Sequence, residues 1–151
     1  MIASRLAALI GTAALLLTMP ALAQPAPKNV LRVAPHADLK TLDPVAASIV
    51  ITRMHGLMIY ETLFSWDASL QPRPQMVESF STSDDKLSWT FTLRPGLQFH
   101  DGQPVTTRDV IASLTRWMKR DTIGGKLGEY TDGMEAKDER TFVLKLKKPM
   151  A

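Results

Sequence analysis

The sequence of 151 residues contains no cysteine. The chain therefore cannot form a disulfide, a thiolate metal site or a thiol nucleophile, and no lipid anchor can be attached through a cysteine. This absence leaves the compartment open, because oxidising compartments do not require disulfides. At this length we expect one domain or part of one.

The sequence also lacks a large excess of charge of either sign. The sequence has 18 Lys and Arg against 15 Asp and Glu, which gives a formal net charge of +3. The basic residues cluster only at Lys119-Arg120 and over Lys145–Lys148. A nucleic-acid-binding protein usually concentrates its positive charge on one face, so we expect no nucleic-acid partner.

Motifs for catalysis or metal binding are few. His36, His55 and His100 are too far apart to form a short metal motif, and the glycines of residues 124–128 lack the order of a phosphate-binding loop. We therefore expect no metal and no cofactor. His100 and Asp101 could act as a general base and its orienting partner. A turn ahead of a helix explains the pair as well, and we favour the turn.

The N-terminus has the three-part order of a secretory signal peptide. Arg5 supplies the positive charge, an apolar run covers Leu6–Met19, and Ala21-Leu22-Ala23 offers small residues for cleavage. The apolar run is shorter than the roughly 20 residues of a membrane span. We predict a signal peptide over residues 1–23 and a mobile leader over residues 24–29. After cleavage the protein would be periplasmic and not embedded in the membrane.

The first part of the mature chain predicts a strand and a helix. Val30–Ala34 fits a short buried strand. Asp43 before Pro44 favours a helix start, because the carboxylate accepts from free amides and proline suits the first helical position. We expect a buried helix over Pro44–Thr62, with Gly56 as a weak point. Its apolar face would carry Val45, Ile49, Leu57 and Met58.

The middle of the chain predicts a strand bounded by turns. Pro72 and Pro74 exclude a regular central strand, and Met76–Phe80 suggests one helical turn. Apolar and polar residues alternate over Leu87–Arg94, which indicates a strand with one buried face. The turns that we predict next are Pro95-Gly96 and Asp101-Gly102, with a short strand over Leu97–Phe99 between them.

The last third predicts a capped helix and a hairpin. Thr106 is a natural N-cap, and Asp109 supports it three residues later. The helix that follows has an amphipathic stripe, made of Val110, Ile111, Leu114, Trp117 and Met118. The glycine-rich residues 121–134 predict a flexible loop. Residues 134–148 predict a β-hairpin whose second strand carries Phe142, Leu144 and Leu146 on one face.

One long stretch of the sequence resembles a known family. "LSWTFTLRPGLQFHDGQPVTTRDVIASLTRW" is similar to the signature region of the family 5 extracellular solute-binding proteins, the dipeptide, oligopeptide and nickel receptors of bacterial ABC importers. Four further segments resemble the family in the same order, so that the likeness covers residues 30–149. They are "LRVAPHADLKTLDP", "MIYETLFSWD", "PQMVESF" and "MEAKDERTFVLKLKKP".

The resemblance implies a fold and a function. The fold would be α/β, a partial periplasmic-binding-protein fold of type II, a two-lobed clamp, with a mixed sheet, β-hairpins and amphipathic helices. The signature would form a smaller subdomain without gripping the ligand. The chain would capture small solutes, foremost oligopeptides and dipeptides, for a membrane ABC permease, as a monomer and not as an enzyme. Residues 30–151 would be a truncated N-terminal portion, with the second lobe lying beyond Ala151.

The resemblance also implies where a ligand would bind. In relatives, residues shortly after the position of Leu42-Asp43-Pro44 reach the cleft. This places Ala47, Ser48 and Thr52 as candidate ligand-binding residues, although packed or solvated helix residues would look the same in the sequence. Two rival interpretations stay open: a secreted hydrolase that uses His100 and Asp101, and a small self-contained secreted binding module.

Overall fold

The computed structural model of the protein describes residues 29–46 and 49–150. The predicted signal peptide, and the leader up to residue 28, lie outside the described residues. The chain divides into two units, Met1–Ala34 and Pro35–Ala151, and each is described by itself. Within the described ranges, no helix has the length and apolar composition to cross a membrane.

In the first unit, the predicted strand Val30–Ala34 is wrong. The segment has no regular structure, and Val30, Leu31 and Val33 are exposed to 53%, 87% and 69%. A strand needs a neighbour that pairs its backbone groups, and no ladder among the described residues includes this segment. Side chains with high β-propensity are therefore not sufficient to form a strand here.

In the second unit, the first helix is shorter and less buried than predicted. Asp43 closes a turn over residues 44–46, and helix α1 (Val50–Ile59) begins only after it. The expected burial of its apolar face is wrong, because only Thr52 and Gly56 of the helix are buried. The helix packs through these small residues and leaves its large ones outside. The exposed apolar residues of the helix are Val50, Met54, Leu57, Met58 and Ile59, and Ile49 just before it is exposed as well.

Two short strands follow α1 as an antiparallel pair, β1 (Phe64–Trp66) and β2 (Pro72–Pro74). The Asp67 carboxylate closes the connection, because it accepts from the amides of Ser69 and Gln71, each at 2.9 Å. Among the residues that the structure describes, only these two strands belong to this sheet. The prediction that the prolines exclude a central strand is therefore confirmed.

The next two strands, β3 (Val77–Thr82) and β4 (Ser88–Leu93), pair antiparallel. The helical turn predicted over Met76–Phe80 is wrong, because this segment pairs along β4 and places Phe80 opposite Phe91. A short apolar run has no strong preference of its own, and the partner strand decides its structure. The strand predicted over Leu87–Arg94 is confirmed.

Both turns predicted after β4 are confirmed. Gly96 and Gly102 have φ of +77° and +84°, a conformation that glycine adopts without the steric cost of a Cβ. The short strand predicted between them is reduced to a single bridge that joins Gln98 and Pro104.

The main sheet has four strands in the order β3-β4-β6-β5, where β5 is Thr131–Ala136 and β6 is Thr141–Leu146. The predicted hairpin is confirmed as β5–β6. The expected mixed sheet is wrong, since every pairing in the described residues is antiparallel. The chain leaves β4 and returns at the far edge as β5. Strand β6 then fills the gap and runs opposite to both neighbours.

Two helices connect β4 to β5, namely α2 (Thr107–Arg120) and α3 (Thr122–Tyr130). The predicted cap of α2 is confirmed, because the Asp109 carboxylate accepts from the amide of Thr106 at 2.8 Å. Helix α3 replaces the predicted flexible loop. The Asp121 carboxylate caps it, and its glycines allow a close approach to α2 that larger residues would prevent.

The core lies between the sheet and α2. Leu93, Val110 and Phe142 form its buried centre, with exposed fractions of 1%, 7% and 0%. The Phe142 ring stacks on the Phe91 ring, with centroids 5.1 Å apart. Val143, on the opposite face of β6, is also buried. Strand β6 lies between β4 and β5 in the sheet.

Candidate functional site

The predicted ligand-binding residues lie at the start of α1. Ala47 and Ser48 are outside the described residues. Thr52 is fully buried, and its hydroxyl donates to the carbonyl oxygen of Thr41 at 3.2 Å. This hydrogen bond ties the first turn of α1 to the loop that leads into it. We call residues 41–46 together with 49–53 the anchored segment.

Asp43 is the centre of the loop half of the anchored segment. Its Oδ1 accepts from the amides of Val45 and Ala46 at 3.0 and 3.3 Å. The Arg116 guanidinium, on α2, donates Nη1–H to Oδ1 at 3.1 Å and a second bond from Nη2 to Oδ2. One carboxylate therefore closes its own turn and also fixes that turn to α2. Such a two-pronged contact has a defined geometry that a single ammonium would not impose.

The charge state of this pair is well defined. The pKa of Asp43 is lowered from 3.8 to about 2, chiefly by the hydrogen bond from Arg116. Desolvation opposes the shift, and the amide bonds of Val45 and Ala46 add to it. The pKa of Arg116 is raised by the same contact. Both groups are therefore charged throughout the neutral and mildly acidic range.

A second ion pair holds the helical half of the anchored segment. Arg53 Nη2 donates to Asp121 Oδ2 at 2.9 Å. The other oxygen of Asp121 accepts from the amides of Ile123 and Gly124 at 2.8 and 3.1 Å, so that Asp121 caps α3 while it binds Arg53. The Asp121 side chain is only 10% exposed, which limits the screening of this contact by water.

Packing supports the same arrangement. Gly56 lies against Pro44, and a Cβ built on Gly56 would stand 3.0 Å from the Pro44 Cβ. The sequence marks Gly56 as a weak point of the helix, but the structure uses its lack of a side chain for this contact. The turn that Asp43 and Arg116 hold therefore packs directly on α1, through the contact of Pro44 with Gly56.

The rival catalytic pair has a structural use. The Asp101 carboxylate accepts from the amide of Gln103 at 3.0 Å, and the Phe99 amide donates to the Gln103 carbonyl at 2.8 Å. Asp101 therefore closes the turn ahead of α2. In the described residues, no group of three or more His, Asp or Glu side chains is arranged to hold a metal ion.

A shallow groove of about 290 Å³ lies elsewhere, between α2, α3 and β5. Its lining includes Ile111, Met118, Lys119 and Met134. Thr52, the one predicted ligand-binding residue that the structure describes, does not line this groove. The groove is therefore separate from the anchored segment.

The chain belongs to the family of bacterial extracellular solute-binding proteins, family 5, because the sequence profile described as "Bacterial extracellular solute-binding proteins, family 5 Middle" matches residues 71–151. This match confirms the resemblance seen in the sequence. The family and the relatives described below are binding proteins.

Three similar proteins illustrate the match. A probable peptide ABC transporter periplasmic-binding protein of Sinorhizobium fredii is 47% identical over 113 residues, which cover 75% of this chain and 21% of the relative. The glutathione-binding protein GsiB of Salmonella typhi is 31% identical over 95% of this chain and 28% of its own length. The periplasmic binding protein MoaA of A. tumefaciens R10, solved with mannopinic acid, superposes with a TM-score of 0.67 at 30% identity, over 75% of this chain and 24% of that one.

The chain spans about a quarter of the length of these relatives. The matched structures are periplasmic binding proteins, and the superposition on MoaA covers 75% of this chain, whose described residues contain both helices and sheets. The α/β fold expected from the sequence, as one part of a periplasmic-binding-protein fold, is thereby confirmed.

Sequence reasoning missed the two arginines and the aspartate that hold the anchored segment. Arg116 lies 73 positions from Asp43, and Asp121 lies 68 positions from Arg53. No local pattern signals a pairing over such distances. The one available indication was that Arg116 lies within the signature stretch, which ends at Trp117, and that Asp121 follows shortly after it.

Proposed function

We propose that this chain is part of the substrate-binding component of a bacterial ABC importer, which captures oligopeptides or dipeptides in the periplasm and delivers them to a membrane permease. The observation that carries the proposal is the 47% identity, over three quarters of this chain, to a protein named as a peptide ABC transporter periplasmic-binding protein. The chain acts by binding and release, without catalysis, and works as a monomer.

The mechanism is closure of two lobes around the ligand. Contacts made to both lobes favour the closed state, because a ligand shifts such an equilibrium only through its difference in affinity for the two states. The permease then distinguishes the closed receptor from the open one. This chain supplies framework and one part of the ligand site, which includes Ala47, Ser48 and Thr52. Thr52 acts through its hydrogen bond to Thr41.

Export is the first step of the proposal. Residues 1–23 direct the chain to the periplasm and are removed, so that the mature protein begins near Gln24. A C-terminally tagged full chain expressed in a Gram-negative host should be recovered by osmotic shock, with Gln24 as its first residue by mass spectrometry. Retention of the intact N-terminus in the membrane fraction would contradict this step.

Binding is tested in a chimera. The 113 matched residues of this chain replace the corresponding segment of the Sinorhizobium fredii relative, and calorimetry measures the affinity for an equimolar pool of tripeptides. We expect the chimera to bind the pool, and the isolated chain to bind it far more weakly, because contacts from a second lobe are missing. Tripeptide binding by the parent but not by the chimera would overturn the proposal.

The hydrolase alternative makes the opposite prediction. If His100 and Asp101 were catalytic, the chimera would cleave the tripeptides, and His100→Ala would abolish that turnover. We expect intact peptides after prolonged incubation, with the same affinity in the His100→Ala variant.

A further inference from the structure

Two arginine–aspartate pairs join the anchored segment to the helical connection between β4 and β5. Asp43 of the loop pairs with Arg116 of α2, and Arg53 of α1 pairs with Asp121 at the start of α3. The direction of charge reverses between the two contacts, since the segment supplies the acid in one and the base in the other. The two pairs together therefore constrain the register of the segment along the helices.

Each pair is more than an isolated surface contact. An exposed ion pair usually contributes little, because two long side chains must be ordered to form it. Here both acids are already ordered by backbone amides. Asp43 accepts from Val45 and Ala46, and Asp121 caps α3. Each arginine therefore binds a carboxylate that is already in place.

The anchored segment is thus held at two points, one in its loop half and one in its helical half. The pair at Asp43 fixes the turn before α1, and the pair at Arg53 fixes the first turn of α1. The Thr52–Thr41 hydrogen bond links the two halves. A segment held in this way cannot slide along α2 or rotate about α1 without breaking at least one charge-assisted bond.

We propose that Arg116 and Asp121 are positioning residues, which hold the anchored segment in the arrangement that receives the ligand; the inference rests on the proposed binding function. The helix of the signature stretch would then do more than build a subdomain. It sets the position of a ligand-bearing segment that lies about 70 residues earlier in the chain. Preorganisation of this kind raises affinity, because less order has to be created on binding.

The first test measures order without any ligand. Hydrogen exchange is followed at the amides of Val45, Ala46 and Arg53 in the full chain purified from the periplasm, with the amides of β4 and β6 as an internal reference. Arg116→Leu should accelerate exchange in the anchored segment by about fivefold and leave the sheet unchanged. Arg116→Lys should give a smaller effect, because lysine keeps the charge but not the two-pronged geometry.

The matched control is Arg73→Leu. Arg73 also pairs with an aspartate, Asp67, at 2.9 Å, but it lies in the β1–β2 hairpin. Its removal should leave the anchored segment protected. Unchanged exchange in Arg116→Leu would overturn the proposal. Acceleration that extends equally through β6 would overturn it as well, because the arginine would then support the whole fold and not this segment.

The second test asks whether position matters for the ligand. In the chimera, Arg116→Leu and Asp121→Asn should each weaken binding of the tripeptide pool by about tenfold through an ordering cost, while Arg73→Leu should not. Equal affinity in all variants would overturn the positioning role even if the segment loosens. Failure of the unsubstituted chimera to bind tripeptides would instead refute the proposed function, and hydrogen exchange would still decide whether the two pairs hold the segment.

Discussion

Gly124 of α3 lies so close to Trp117 of α2 that a Cβ on the glycine would stand 2.5 Å from the Trp117 carbonyl oxygen and 2.8 Å from its ring. Real Cβ atoms do not approach backbone oxygens this closely. The sharp junction between the two helices, where Asp121 is both the end of α2 and the cap of α3, therefore requires glycine at this position.

Substitution of Gly124 should destabilise the protein. Gly124→Ala forces α3 away from Trp117, and overpacking of this kind costs about 1–3 kcal/mol. The neighbouring Gly125→Ala is the control, since its Cβ would meet only the Met118 carbonyl oxygen at 3.8 Å. Alanine there should be neutral or stabilise by up to about 1 kcal/mol through helix propensity. Urea unfolding followed by tryptophan fluorescence measures both, and equal shifts would refute the steric account.

Replacement of Leu70 by a polar residue should stabilise the protein, whereas replacement of a large apolar residue usually destabilises it. Leu70 has φ of +57°, a left-handed conformation that costs a residue with a Cβ about 1–2 kcal/mol, and its side chain is 74% exposed. Leu70→Asn should therefore stabilise the protein by a few tenths of a kcal/mol or more, because asparagine tolerates this region.

Leu57 is a matched control for Leu70. It is also 74% exposed but lies within α1, so Leu57→Asn should lose about 0.5 kcal/mol of helix propensity. Thermal unfolding of the two variants should show shifts of opposite sign. A loss of stability in Leu70→Asn would mean that contacts of the leucine outweigh its backbone cost.

Acid should weaken the fold over a defined window. The pKa of Asp43 is lowered from 3.8 to about 2, chiefly by the hydrogen bond from Arg116, and that of Glu135 from 4.5 to about 2, chiefly by Lys137 and then Lys145. The unfolded chain takes up protons on these groups at a pH where the folded chain does not. Their contribution is therefore complete above pH of about 5 and is lost as the pH falls towards about 2.

The measurement is the urea midpoint between pH 6 and pH 2. We expect it to decline within this window, and Asp43→Asn should make the decline shallower because one of the carboxylates with a lowered pKa no longer titrates. Added salt should also flatten the profile, since both carboxylates are accessible to screening ions. A profile that is identical with and without Asp43 would contradict this assignment.

Phe142 should be the most sensitive position of the sheet. It is fully buried and stacks on Phe91, so Phe142→Ala should cost about 3–5 kcal/mol. This is a large part of the stability of a typical domain. Phe99→Ala removes the same ring from a site that is 47% exposed, and its cost should be clearly smaller. Comparable urea midpoints for the two variants would show that the core is centred elsewhere.

Local chemistry predicted much of the sheet and of α2. The alternation over β4 and the Thr106–Asp109 cap depend on neighbouring residues, so they can be read from a short window. The turns at Gly96 and Gly102 are of the same kind. These elements also include the stretch that led to the family assignment, which the profile match over residues 71–151 confirms.

The wrong predictions concern segments whose secondary structure depends on contacts with residues distant in the sequence. Residues 76–80 form a strand because β4 lies beside them, and residues 30–34 do not, because no described strand pairs with them. Helix α3 forms in a glycine-rich stretch because a carboxylate caps it and α2 accepts its close approach. In the candidate site, Thr52 was selected from the family resemblance, but its buried bond to Thr41 was not foreseen. The pairing of Asp43 with Arg116 was not foreseen either.

By itself, then, the sequence determined the elements whose stabilising contacts lie within a few residues, together with the family to which the chain belongs. The tertiary structure alone decided which strands are neighbours, which faces are buried, and how the segment before α1 is attached to the helices. The reason is physical: hydrogen bonds within a turn or a cap depend on local spacing. Strand pairing, close helix contacts and ion pairs across about 70 residues exist only once the chain has folded.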